Sequence, residues 1–268
     1  MFKILEKSIL GPQINFLLVD APIIAKKAQA GQFVMVRVTN KGERIPLTIA
    51  DYNRQKGTIS LVFQVMGKTT IDLAALNVGD FIQDILGPQG MPTEIENYGN
   101  VLVIGGGIGI APCFPIATAL KKAGNKVTTI IGYRSADYVF WEDKMRNAST
   151  DLVICTNDGS YGKKGFVTTA LEEIIASGEK IDHVFCIGPA VMMKAVAEIT
   201  KRDQLPLTVS LNALMVCGMG MCGACRISFD QATKFVCMDG PDFNGNKVDF
   251  NELIKRLEIY KPEECSCK

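Results

Sequence analysis

The chain has 268 residues, 47% of them hydrophobic, with 29 basic and 28 acidic side chains and a net charge of +1, which excludes the global field that nucleic acids or anionic membranes would require. One histidine, His183, excludes multi-imidazole sites such as His-rich zinc hydrolases and Rieske centres, and nine cysteines crowded toward the C-terminal quarter exclude an extracellular disulfide framework. At about 150 residues per domain, the length predicts roughly two compact units.

The first residues carry charges at Lys3, Glu6 and Lys7, so no signal peptide is expected and the protein is read as cytoplasmic. Residues 1–98 predict a small antiparallel β-barrel: short runs at 33–38, 48–51 and 58–65 are separated by turn signals, and Ile59, Leu61, Phe63 and Val65 share one face by alternation. Gly67-Lys68-Thr69-Thr70 is not a P-loop, because Val62 stands where its first glycine belongs. It is either a capped helix start or a turn that offers N–H and hydroxyl groups to a phosphate.

Residues 99–205 alternate strand and helix, with apolar runs at 101–104, 127–131, 152–155 and 184–187, and predict a parallel sheet with helices on its faces. Residues 101–120 carry no charge and match a membrane span in length, yet Gly105, Gly106, Gly107, Gly109, Pro112 and Pro115 break them into strand, turn and helix. No membrane insertion is expected. From Gly107 the turn reads G-x-G-x-x-P, with Pro112 in place of a third glycine. It suits a pyrophosphate at a helix N-terminus, and a plain packing turn is the competing reading. The next strand ends in Gly132-Tyr133-Arg134-Ser135, without a ribose-binding acid, which leaves NADH and NADPH both open. Thr156-Asn157-Asp158-Gly159-Ser160-Tyr161-Gly162 and Gly188-Pro189-Ala190 follow strands, at carboxyl ends where ligands bind. His183 reads as an ordinary strand-edge residue, Trp141 as packing, and Cys113, Cys155 and Cys186 as small buried hydrophobes.

Residues 206–268 form a third segment, with a charged helical stretch at 252–259. Its Cys217-x4-Cys222-x2-Cys225-x11-Cys237 spacing matches the plant-type [2Fe-2S] arrangement. Gly218, Gly220, Gly223 and Ala224 let the backbone fold closely around an anionic cluster. A four-cysteine zinc site is the alternative, and the x4-x2 triplet favours iron and sulfide. Cys265 and Cys267 read as a reduced tail.

This order of parts resembles the electron-transfer subunit of dihydroorotate dehydrogenase B. Arg44-Ile45-Pro46-Leu47-Thr48-Ile49-Ala50-Asp51, the Thr156 to Gly162 motif, Met221-Cys222-Gly223-Ala224-Cys225-Arg226 and Asp239-Gly240-Pro241-Asp242-Phe243 resemble still more closely the small subunit of NADH-dependent reduced ferredoxin:NADP+ oxidoreductases. The family's barrel strand carries Arg-x-x-Ser/Thr on the flavin. Here Arg44 precedes Thr48 by four positions, and the resemblance implies that Arg44, Pro46, Leu47 and Thr48 contact FAD. It further implies Val62, Phe63 and Gln64 beside the flavin, and Gly67, Lys68, Thr69 and Thr70 at its pyrophosphate. Gly107, Gly109, Pro112, Asp158, Gly159, Gly188 and Pro189 would line the NAD(H) cleft. Cys217 stands where the ferredoxin:NADP+ type often has aspartate and the dihydroorotate type has cysteine.

The expectation is an NAD(P)H-dependent flavin and iron-sulfur oxidoreductase subunit that passes electrons between NAD(H), FAD and a [2Fe-2S] cluster, with no side-chain acid, base or nucleophile. The chain carries no further site, so a partner is expected: a larger flavin/iron-sulfur subunit, with ferredoxin served indirectly within an electron-bifurcating complex. The alternatives are the dihydroorotate dehydrogenase complex and, in a different class, a zinc-binding redox sensor.

Overall fold

The computed structural model describes residues 1–259, and the Cys265-x-Cys267 tail lies outside the described residues. In the N-terminal part, β1 (Phe2–Gly11), β2 (Ile14–Asp20), α1 (Pro22–Lys27), β3 (Phe33–Arg37), β4 (Arg44–Asn53), β5 (Thr58–Gln64), α2 (Lys68–Ala75), β6 (Phe81–Ile82) and β7 (Asp84–Gln89) follow in turn. The seven strands form one nearly closed antiparallel sheet in the order β6-β1-β2-β5-β4-β3-β7. Along β5 the period of two divides the work: Ile59, Leu61 and Phe63 enter the barrel core with Leu17, Val34 and Ile49, while Val62 faces the opposite way with Ile14, Phe16 and Ala50. That outer face, which Val62 shares with Thr58, Ser60 and Gln64, turns toward the neighbouring unit.

The next unit comprises β8 (Asn100–Gly106), α3 (Ile110–Lys122), β9 (Lys126–Tyr133), α4 (Glu142–Ala148), β10 (Asp151–Thr156), β11 (Lys163–Lys164), α5 (Val167–Ala176), β12 (His183–Ile187), α6 (Ala190–Arg202) and β13 (Leu207–Ser210). After it come β14 (Arg226–Phe229), β15 (Ala232–Phe235), α7 (Val236–Asp239), β16 (Asp242–Asn244) and α8 (Phe250–Leu257). The second sheet runs β11-β10-β9-β8-β12-β13-β16, parallel except for β16. β13 and β16 both belong to it, so the cysteine-bearing stretch is an excursion between two of its strands. The division drawn at 205/206 from the sequence falls immediately before β13, a strand of four residues too short to signal itself.

The uncharged stretch at 101–120 is divided between β8 and α3 by a one-turn 3-10 helix at Gly107–Gly109. No helix among the described residues is long and apolar enough to cross a membrane. Cys113, Cys155 and Cys186 are fully buried. The His183 ring meets Thr208 Oγ1 at 2.9 Å and packs between Tyr98 and Phe185, and burial lowers its pKa. Trp141 packs edge-on against Phe16, Phe114 and Phe140, with Lys144 Nζ 4.2 Å above its ring.

Candidate cofactor and cluster sites

In the second sheet the chain moves outward from β8 to β9 and β10, then returns to β12 on the other side of β8. A ligand crevice lies outside the carboxyl ends of strands at such a reversal. A cavity of about 920 Å³ opens there, between the glycine turn after β8 and barrel strands β4 and β5. It lies toward the upper end of the ~300–1,000 Å³ usual for ligand pockets. Pro46, Leu47 and Thr48 of β4, Val62, Phe63 and Gln64 of β5, and Thr70 of α2 form one wall. Gly107, Gly109, Pro112, Gly188 and Pro189 form the other.

The glycine turn is shaped for close approach. Gly107 has φ +54° and a side chain there would meet no atom within 4 Å, so its backbone faces open cavity. Gly109 is the reverse case: a Cβ would lie 2.6 Å from the Ile187 carbonyl oxygen and 2.7 Å from Gly188 Cα, so glycine is required by the neighbouring chain. This is a cradle that a phosphate group fits and a side chain does not.

Six residues singled out from the sequence lie off this lining. Arg44 Nη2 donates to Asp84 Oδ2 at 3.0 Å, on the barrel wall beside Arg37. Lys68 Nζ pairs with Asp72 at 3.1 Å on the exposed face of α2. Gly67 starts that helix, where Thr70 Oγ1 accepts from the N–H groups of Met66 (2.9 Å) and Gly67 (3.1 Å). Asp158 Oδ1 accepts from the hydroxyl and N–H of Ser160, and those two bonds, the hydroxyl first, hold its carboxyl below the ordinary range. Gly159, at φ +78°, lies over Lys164. Thr69, like these, is outside the lining. Within that loop it is Asn157 that lines the cavity, as does Arg134 past β9. Phe33, Phe166, Ser210 and Asn212 also line it and were missed from the sequence. For Ser210 and Asn212 a signal existed, since they end and follow a parallel strand; Phe33 and Phe166 carry none.

Cys225 and Cys237 are buried with their sulfurs 3.3 Å apart, while Cys217 is half-buried and Cys222 exposed. Gly218, Gly220 and Gly223 all adopt positive φ, which lets the loop turn its N–H groups onto the sulfurs. Met219 N–H points at Cys217 Sγ (3.4 Å), Gly220 N–H at Cys237 Sγ (3.2 Å), and Ala224 N–H at Cys222 Sγ (3.5 Å). The Met219 N–H is the main reason that Cys217 is lowered to about 6, with Cys222 adding to it. Burial, then the neighbouring Cys225, pushes Cys237 up to about 12. Among the described residues no group of three or more His, Cys, Asp or Glu side chains is gathered as one metal ion would need. The thiols are grouped instead as Cys217 with Cys222 and Cys225 with Cys237, two thiolates for each iron of a [2Fe-2S] cluster.

Behind the lining, Asp242 joins three segments. Its Oδ2 accepts from Thr93 Oγ1 at 2.6 Å, Ser210 lies beside it on β13, and its Oδ1 is enclosed without a hydrogen-bond partner. Burial raises its pKa above that of an ordinary aspartate, the two hydroxyls offsetting this only in part. A raised folded-state pKa means that the folded chain holds the proton longer than the unfolded one. The contribution to stability is therefore complete below the unfolded value of about 3.9 and is lost as pH rises through the folded value. Thermal unfolding of Asp242→Asn between pH 4 and pH 7 is expected to lack this decline, with the variant gaining on the native chain as pH rises. Parallel curves would contradict it.

The comparisons with known proteins agree with this geometry. Residues 103–198 match the oxidoreductase NAD-binding domain, and residues 212–249 match the iron-sulfur cluster binding domain of dihydroorotate dehydrogenase B. The Thermotoga maritima homolog of the dihydroorotate dehydrogenase B (NAD(+)) electron transfer subunit is 47% identical over 92% of this chain and 86% of its own length. The chain belongs to this electron-transfer subunit family. The Bacillus caldolyticus electron transfer subunit is 34% identical over 87% of the chain and 91% of its own. A solved structure of the NADH-dependent reduced ferredoxin-NADP oxidoreductase, described for flavin-based electron bifurcation, superposes with a TM-score of 0.95 at 43% identity, covering 100% of this chain and 96% of that one. An Amycolatopsis cytochrome P450 reductase, 23% identical, shares the fold over 76% of the chain and 66% of its own, with a TM-score of 0.64. The family member described here is thus an oxidoreductase of ferredoxin reductase-like fold, with an NAD-binding and an iron-sulfur binding domain.

Proposed function

We propose that the chain is the electron-transfer subunit of a ferredoxin:NADP+ oxidoreductase-type complex, with FAD held by residues 1–98, NAD(H) by 99–205 and a [2Fe-2S] cluster by 206–268. The observation that carries this is the continuity of one wall. The cavity runs from β4 and β5 past the glycine turn to Leu211, Asn212 and Met215, and Cys217 follows two residues later. Flavin, when bound, supplies the exchange between the two-electron nicotinamide and one-electron carriers.

The chain's own part is placement. Pro46, Leu47 and Thr48 with Val62, Phe63 and Gln64 border the flavin ring, and Thr70 with Gly67, Lys68 and Thr69 lies at its pyrophosphate. Gly107, Gly109 and Pro112 receive the nicotinamide dinucleotide, with Gly188 and Pro189 beside them on the same wall and Asp158 and Gly159 on the flanking loop. Arg44 orders β4 through Asp84. Cys217, Cys222, Cys225 and Cys237 are the cluster ligands. The apolar lining excludes water from the space between them. Reduced, clustered thiols suit a cytoplasmic protein.

A larger flavin/iron-sulfur subunit is the proposed partner, passing electrons on toward ferredoxin. Cys217 favours a second reading, the dihydroorotate dehydrogenase complex, and the Asp239 to Phe243 segment favours the first. The test is anaerobic purification of the native complex. Expected are flavin bands, iron-sulfur absorbance that NADH bleaches, and a co-purifying larger subunit whose identity separates the two readings. Colourless protein with stoichiometric zinc would overturn both in favour of a metal sensor.

A further inference from the structure

Two arginines grip the cluster loop from outside the ligand set. Arg226 Nη1 donates to the Gly223 carbonyl at 3.3 Å, and that oxygen also accepts the Arg226 N–H at 3.2 Å. Arg256 Nη2, on the last turn of α8, reaches back across 32 residues to the Ala224 carbonyl at 2.9 Å. The Gly223 carbonyl belongs to the same peptide as the Ala224 N–H, which points at Cys222 Sγ at 3.5 Å. The Ala224 carbonyl likewise belongs to the peptide whose N–H is that of Cys225. The Arg226 guanidinium therefore polarises a peptide whose N–H points at Cys222, the Arg256 guanidinium polarises the peptide that leads into Cys225, and bonds in such a chain strengthen one another.

Arg256 is held in place by its helix. Asp249 caps α8 by accepting the Glu252 N–H at 3.0 Å, Phe250 and Leu253 are buried, and Glu252 Oε2 accepts the Ser228 N–H at 3.2 Å, tying α8 to β14. The half-buried, permanently charged fork of Arg256 is thus fixed against the loop. It also lies beyond residues 212–249, the extent of the matched iron-sulfur domain.

We infer that Arg226 and Arg256 are positioning residues that raise the reduction potential of the cluster, by aiming and polarising the loop peptides and by placing positive charge where an electron is added. The argument is electrostatic: a thiolate-ligated cluster gains negative charge on reduction, and hydrogen bonds and charge outside the ligands are the protein's levers on its potential. The carboxylates near the loop are engaged elsewhere, Glu252 as above and Asp239 with the Phe235 N–H and Lys234. This inference rests on the proposed cluster.

The test is a redox titration of the full-length holoprotein, followed by the electron paramagnetic resonance signal of the reduced cluster, with iron determined on each sample. Arg256→Met is expected to shift the reduction equilibrium about tenfold toward the oxidised form, which is about 59 mV more negative for one electron. Arg256→Lys keeps the charge and recovers more than half of that shift; Arg226→Gln moves the midpoint in the same direction. Full iron content with an unmoved midpoint in Arg256→Met would overturn the inference. If Arg256→Met loses its iron, the exposed Arg226 decides, because an unmoved midpoint in Arg226→Gln overturns it equally. A native chain with no iron-sulfur signal defeats the cluster itself, an outcome distinct from a native cluster indifferent to both arginines.

Discussion

Cys217→Ala is expected to purify with flavin and without iron, falling from about two irons per chain to less than a tenth of that. Cys217→Asp is expected to retain the cluster, because a carboxylate can replace the anionic sulfur while a methyl group cannot. The position makes the experiment clean. Cys217 is only half-buried and lies outside the cavity lining, so removing its sulfur leaves the barrel, the sheet and the dinucleotide crevice intact. The fully buried Cys155 is the control, since it lies on β10, separated from β13 by β9, β8 and β12, and Cys155→Ala should keep its iron. Loss of the cluster also weakens its own segment. Between β13 and β16 the excursion contains only a short hairpin and one turn of helix, and metal binding in so small a segment is part of its folding free energy. An alanine variant with full iron content would remove Cys217 from the ligand set.

Gly109→Ala is expected to raise the dissociation constant for NADH at least tenfold, about 1.4 kcal/mol, measured by titrating reduction of the bound flavin under anaerobic conditions. The added Cβ would lie 2.6 Å from the Ile187 carbonyl and 2.7 Å from Gly188 Cα. Both are backbone, so no side chain can swing away and the end of β12 must move. Overpacking of this kind costs about 1–3 kcal/mol, and for a chain of this size each kcal/mol lowers the melting temperature by about 2–4 °C. The displaced residues, Ile187 and Gly188, belong with Gly107 to the same wall of the cavity. Gly107→Ala separates binding from stability, since its Cβ meets no atom within 4 Å but enters the cavity at a positive φ. It should cost only about 1–2 kcal/mol of backbone strain and still impair NADH binding. If Gly109→Ala binds NADH normally, the glycine turn is not the dinucleotide site.

Much of this molecule was legible in the sequence because the signals are local. A period of two marks β5, a β-branched run followed by glycines marks β8 and its turn, and four cysteines in a fixed spacing mark the cluster loop. The chemistry of those motifs depends on backbone reach and charge within a few residues, which spacing encodes directly. The division of labour among the glycines was not legible. Gly107 and Gly109 look alike in the chain, yet one faces open cavity and the other the backbone of β12 at Ile187, 78 residues further on.

The sequence by itself determined the kinds of unit, their order and the cysteine motif of the iron-sulfur segment, because each rests on periodicity or spacing within a short window. Only the tertiary structure decided that β13 and β16 belong to the parallel sheet, which places the cluster loop on the rim of the cavity. It likewise decided that Arg44 turns to Asp84 while Phe33, Ser210 and Asn212 face the cofactor space, and that Arg256 returns to the cysteine loop. These are contacts between residues distant in the chain, set by how sheets and helices pack, and no local pattern of residues carries them.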